Sequence, residues 1–320
     1  MTTTDASAAH DLGALAHRLS HPADARCACE PPRVLANRPD GTVVRSGTTV
    51  LKAHAADSDR TALAARIALA ASPELTGILL PPLSVPQAPE NTERPVTLWP
   101  LGAPVDPTAP EAAPWADAAV LLARLHRTPL PRPFPSMRGP AKAAAAVARM
   151  RTALPGDAAA LPVLAAWRAL PAWARGEAPA PAARAGFLCH GDLHLGQLVR
   201  HPAPDGPWLL IDVDDMGAGD PAWDLARPAA WYAAGLLPPE DWLAFLEAYR
   251  SAGGPAVRAD GDPWPALDVP ARALTVQTAA LALAKCAARG RGPDEPEQLM
   301  IESCARIATL PPRSAQGGAS

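Results

Sequence analysis

The spacing of apolar and polar positions changes character near residue 100. Before it, short β-branched runs dominate. Residues 33–37 form a brief apolar stretch closed by the turn signal Arg38-Pro39-Asp40-Gly41. Residues 42–45 follow, and Ser46-Gly47 turns the chain into residues 48–54. Three such runs joined by tight glycine-bearing turns predict an antiparallel meander. In the third run, alternation sends Val50, Lys52 and His54 to one face. Asp57-Ser58-Asp59 then offers an N-cap to an alanine-rich helix that reaches about residue 71 and stops at Pro73. Residues 78–83 and 96–101 are two further candidate strands around a Pro-rich loop.

From Glu111 onward the period is helical. Helices are predicted over 112–126, 141–154, 158–173, 221–234, 239–252, 267–288 and 295–310. One β-rich island, 186–212, interrupts them. Proline-rich loops punctuate the elements without forming a long linker, and no internal repeat is visible. The order predicts an α+β protein: a β-rich N-terminal lobe over 1–101 and a mainly helical C-terminal lobe over 102–320.

Composition narrows the function. The chain has 320 residues, 29 Lys+Arg against 32 Asp+Glu, and a net charge of -3. A slightly acidic balance without a basic run excludes non-specific nucleic-acid binding. No apolar stretch approaches the ~20 residues of a membrane helix, and the start carries no secretory pattern. The five cysteines cluster only at Cys27-Ala-Cys29, with no second pair to complete a zinc site. A cytoplasmic protein with reduced thiols is expected. Alanine, roughly a fifth of the chain, inflates the 48% hydrophobic content, so the core must lean on Leu, Val and nine Trp. The tryptophans read as core packing and substrate-wall material, since no Lys or Arg interleaves them. Only three lysines occur, Lys52, Lys142 and Lys285. A lysine kept in a strand of an arginine-rich chain points to a need for a compact ammonium rather than a fork.

The island carries the chemistry. It reads Phe187-Leu-Cys-His190-Gly-Asp192-Leu-His194-Leu-Gly-Gln197, then, beyond a Pro- and Gly-bearing loop, Trp208-Leu-Leu-Ile-Asp212-Val-Asp214-Asp215. A hairpin presenting carboxylates at both ends can bring Asp192 and Asp212 close. Two carboxylates beside an amide oxygen suit Mg²⁺, which takes few protein ligands and fills its octahedron with water and phosphate oxygens. A carboxylate off the metal can orient or deprotonate a hydroxyl. Asp214 and Asp215 fit either a second metal or cationic-substrate role or plain surface acids. Asp224, after Gly219-Asp220-Pro221, reads as a first-turn acid complementing a helix dipole. His126 reads as a helix C-terminal cap.

His190-x-Asp192-x-x-x-x-Gln197 followed by Ile211-Asp212 resembles the catalytic loop and metal-binding aspartate of the aminoglycoside phosphotransferase and choline-kinase-like small-molecule kinases. The form with glutamine is similar to actinobacterial maltokinases and glucosamine kinases; elsewhere in the family asparagine stands there. The resemblance is sharp over about 190–225. It implies a two-lobed protein-kinase-like fold and ATP- and Mg²⁺-dependent phosphorylation of a small-molecule hydroxyl, most naturally of a sugar, amino sugar or aminoglycoside. It implies Asp192 as catalytic base or hydroxyl orienter, Gln197 and Asp212 as Mg²⁺ ligands, and His190 as a loop brace. It further implies Lys52 as the phosphate-binding lysine and residues 38–42 as the loop over the phosphates. Residues 98–102 would be the hinge, and because Pro100 has no N–H, its adenine donor would be Trp99 or Leu101. The family pairs its lysine with a glutamate in the next helix, and here that helix holds no acid. The competing readings are a kinase of a choline- or homoserine-type alcohol, a nucleotide-binding pseudokinase, and a metal-dependent hydrolase.

Overall fold

The computed structural model describes residues 3–20, 30–38, 41–83, 94–182 and 184–310. Cys27, Cys29, Pro39 and Asp40 lie outside them, and with the last two goes the tip of the expected phosphate loop. In chain order the elements are α1 (Thr3–Ser20), β1 (Arg33–Arg38), β2 (Gly41–Ser46), β3 (Thr49–His54), α2 (Arg60–Ala70), β4 (Val96–Pro100) and β5 (Ala103–Pro104). There follow α3 (Trp115–Arg127), α4 (Gly139–Ala153), α5 (Leu161–Ala169), β6 (Phe187–Cys189), β7 (Leu198–Arg200), β8 (Trp208–Leu210) and β9 (Gly217–Gly219). The chain closes with α6 (Ala222–Ala234), α7 (Pro239–Ser251), α8 (Trp264–Arg289) and α9 (Glu295–Thr309).

The chain divides into two compact units, Met1–Ala113 with Gly196–Asp214, and Pro114–Leu195 with Asp215–Ser320. In the first, β1 to β4 form an antiparallel sheet in sequential order. The meander is thus as expected, including the shared side of Lys52 and His54. One face is closed by Leu12, Leu15, Ala16 and Leu19 of α1, packed on Val44, Leu51, Ala53, Val96 and Leu98. Nothing in the sequence reading anticipated α1, because its opening residues are small and polar. The helix α2 starts on Asp59, whose carboxylate accepts from Ala62 N at 3.0 Å. Residues 78–83 make only isolated bridges, Leu79 with Leu210 and Leu83 with Leu98. Two prolines at 81 and 82 remove the donors that a ladder there would need. The hairpin of β7 and β8 pairs with β5, with Ala103 opposite Arg200 and Pro104 opposite Val199.

In the second unit α8 packs against α4, α6 and α9, and α3 against α7. The expected helix over 158–173 is broken: α5 ends at Ala169 and a short 3-10 turn, Ala172–Arg175, follows Pro171. Pro171 cannot donate to the preceding turn and restricts Leu170 to an extended conformation. The island is also split. β6 pairs with β9, Leu188 opposite Ala218, and not with β7. Trp115, Trp167, Trp223 and Trp242 are buried, and Trp115 meets Trp231 and Phe245 edge-on, the core role expected for them.

Candidate functional site

In the first unit β3 carries Lys52 to a pair of acids. Its ammonium lies 2.7 Å from Asp212 Oδ1 and 3.0 Å from Asp214 Oδ2. Two residues on, His54 faces Asp214 Oδ1 through Nδ1 at 2.9 Å and lies 2.8 Å from Thr97 Oγ1 through Nε2. The lysine's acidic partners therefore come from the segment after β8. The acid-free α2 contributes none, and Asp59 is occupied as its N-cap. Burial pulls the Lys52 ammonium down, but Asp212 and Asp214 outweigh it and hold the group above its ordinary range. Asp214 is pushed up by burial and, more strongly in sum, drawn down by His54 and Lys52. Asp212 is the one non-glycine residue among those described with a positive φ, 68°. Aspartate tolerates this left-handed region better than most residues, and such conformations cluster at functional sites. Gln197 Nε2 donates to Asp212 Oδ2 at 3.3 Å, and Ile211 N donates to Gln197 O at 2.9 Å.

The expected hinge lies at the end of β4. Trp99 sits opposite Val50 in the ladder and its indole donates to Thr97 Oγ1 at 2.8 Å. Leu101 N donates to Thr48 O at 2.7 Å.

In the second unit, Asp192 follows β6. Its Oδ2 accepts from Lys142 at 2.6 Å and its Oδ1 from Arg227 Nη2 at 2.6 Å. Arg227 is anchored in turn on Leu193 O at 3.0 Å. Burial pushes the Asp192 carboxyl up, but Lys142 and Arg227 overcome it and hold the group down to about 2. Lys142 also reaches Asp215 Oδ2 at 2.6 Å. Gly191 adopts φ 86°, and a Cβ there would stand 2.2 Å from Asp215 O, so only glycine fits.

The loop is held from below. Asp224, in the first turn of α6, accepts from His190 N at 2.6 Å and Gly191 N at 2.7 Å. His126 bridges Asp224 Oδ2 at 2.9 Å and Tyr249 Oη at 2.7 Å. His126 is thus a buried link between α6 and α7, not a helix cap. At the start of α6 Asp220 Oδ1 accepts from Ala222 N at 3.0 Å, and Asp224 lies in the first turn, as expected. His126, Asp224 and Cys189 bring ligand-type atoms within 4.8 Å of one another. Both oxygens of Asp224 accept from backbone N–H groups and both ring nitrogens of His126 meet Asp224 and Tyr249, so the cluster braces the loop.

Of the expected residues, Lys52, Gln197 and Asp212 meet within the first unit, and Asp192 belongs to the second. Gln197 and Asp212 offer an amide oxygen and a carboxylate, the hard donor set that Mg²⁺ takes alongside water and phosphate oxygens, so the residues fit that ion. Lys142, Arg227, Asp224, His126 and Tyr249 escaped the sequence reading of the site. The lysine scarcity could have singled out Lys142, as it did Lys52. Among the described residues no helix is long and apolar enough to cross a membrane.

The family model of the phosphotransferase enzyme family matches residues 33–267. No curated protein sequence matches the chain. Among solved structures, a choline/ethanolamine kinase family protein from Mesorhizobium loti is 16% identical with a TM-score of 0.54, over 94% of this chain and 95% of that one. A thermostable mutant of aminoglycoside phosphotransferase APH(4)-Ia, in ternary complex with AMP-PNP and hygromycin B, is 14% identical with a TM-score of 0.57, over 88% and 94%. The Plasmodium vivax ethanolamine kinase is 12% identical with a TM-score of 0.52, over 91% and 85%. At these identities the likeness establishes the two-lobed α+β kinase-like fold, while the matched span is most of the chain. The chain therefore belongs to the phosphotransferase enzyme family, as a small-molecule phosphotransferase.

Proposed function

We propose that the protein transfers the γ-phosphoryl group of Mg-ATP, in the cytoplasm, to a hydroxyl of a sugar, amino sugar or aminoglycoside. Residues 1–101 act as the nucleotide-binding lobe and 102–320 as the catalytic and substrate lobe. The observation that carries the reading is the Lys52 ammonium on Asp212, with Gln197 beside it. A charged lysine next to oxygen donors is what the phosphates of a nucleotide require.

Each residue then has a stated task. Lys52 binds phosphate oxygens, and Trp99 and Leu101 line the adenine, with Leu101 N exchanging Thr48 O for the base. Gln197 and Asp212 would hold Mg²⁺, which would supply charge neutralisation at the phosphates. Asp192 accepts a hydrogen bond from the acceptor hydroxyl and aims its oxygen at the γ-phosphorus. As that P–O bond forms, the bond to the β–γ bridging oxygen breaks and ADP leaves. The hydroxyl proton departs to solvent. With its carboxyl held near 2, Asp192 is a weak proton acceptor. Its contribution is orientation, in keeping with a loose transition state.

The test is ADP release against sugars, amino sugars, aminoglycosides and amino alcohols. Asp192→Ala is expected to abolish turnover while ATP binding, followed by titration calorimetry, persists. Near wild-type turnover in that variant would remove Asp192 from its role. A response confined to choline- or homoserine-type alcohols would reassign the acceptor, and ATP binding without turnover on any acceptor would favour the pseudokinase reading.

A further inference from the structure

Lys142 is a lysine in a chain whose cations are otherwise almost all arginine. It lies in the first turn of α4, whose N-terminus carries no acid. A cation there opposes the helix dipole, so helix stability does not explain it. Its surroundings do. The ammonium donates to Asp192 Oδ2 and Asp215 Oδ2 at 2.6 Å each. Those two bonds take two of its three N–H donors. The side chain is three-quarters enclosed, with 26% exposure.

We propose that Lys142 is a positioning residue of phosphotransfer, its ammonium fixing the orientation of the Asp192 carboxylate toward the acceptor hydroxyl. The inference rests on Asp192 being the residue that aims that hydroxyl. Lys142 comes from α4 and Arg227 from α6, and His190 and His194 stand in its own loop. Asp215 acts through Lys142 and is also approached by Arg138 at 3.6 Å. Arg227 binds the other oxygen, and Lys142 is the ion partner of Oδ2. A point charge on a flexible stem can bridge two carboxylates on different segments, whereas a planar fork would match only one.

The experiment is a carbon-detected NMR titration of the Asp192 carboxyl in wild type, Lys142→Met and Lys142→Arg, with kcat and the KM for ATP alongside. In Lys142→Met the midpoint is expected to rise by one pH unit or more, with kcat down tenfold or more and the KM for ATP within twofold. Lys142→Arg keeps the charge, so its midpoint should stay low and part of kcat should return. A purely structural role would lower the melting temperature without moving the midpoint. An unmoved midpoint in Lys142→Met overturns the proposal. If that variant does not fold, Lys142→Gln, which keeps a donor on the stem, carries the same comparison. The titration reads without turnover: silence of the wild type toward every acceptor defeats the phosphotransfer reading, whereas an unmoved midpoint defeats this one.

Discussion

Lys52 sits between two carboxylates that would otherwise repel one another across its position. Replacing it with methionine removes the charge that the proposed function sets against the phosphates and leaves Asp212 and Asp214 face to face. By the scale of losing one charge-stabilising donor, kcat/KM for ATP should fall about 10²–10³-fold, read by steady-state kinetics. Lys52→Arg should recover little, because the fork is longer and demands planar partners. This residue was legible in the sequence because strand alternation is local and lysine is rare here. Asp212 was legible through its spacing from Asp192. The pairing of Lys52 with these acids was not, since Asp212 lies 160 residues away and no local period reports such a contact. Asp214 and Asp215, which the sequence left undecided, now each face a lysine. Neither is a plain surface acid.

At the scale of elements, the segment over Asp224 is held by α3, α6 and α7 together. Tyr249 of α7 gives its hydroxyl to both His126 and Ala256 N, which donates at 3.0 Å. Burial pushes its phenol well above the usual range, so the hydroxyl stays protonated. Tyr249→Phe keeps the ring and leaves the buried His126 Nδ1 and the half-buried Ala256 N without it. A loss of about 1–3 kcal/mol is expected, seen as a lower urea midpoint at unchanged slope. Helix positions in this unit were readable to within a few residues from their period. The break at Pro171 was missed because alanine propensity masks a single proline. The pairing of β6 with β9 was missed because both are three-residue strands, too short for alternation to identify a partner.

For the whole molecule, the paired ionisable groups set the pH range of stability. Asp192 and Asp214 titrate below their unfolded values, so their contribution is present above pH ~4 and is lost as pH falls below it. For Asp192, moving from 3.8 to about 2, the contribution is about 2 kcal/mol. Lys52 and Lys142 are raised, so theirs is complete below pH ~10 and is lost as pH rises further. Asp220, raised by burial, works against the acid loss. Urea midpoints should form a plateau between about pH 5 and 9 and fall on both sides. In Asp192→Asn the acid fall should be shallower.

The route of the chain has a further consequence during synthesis. The first unit is interrupted: its β5 finds β7 only when residues 199 and 200 have been made. At ~5–20 residues per second, Ala103 and Pro104 leave the ribosome roughly 5–20 s before their partners. The four-stranded sheet and α1 can assemble in that interval, but the segment bearing Gln197 and Asp212 cannot yet join them. Lys52 is therefore born without its counterions, and the first unit is completed only after much of the second has been translated.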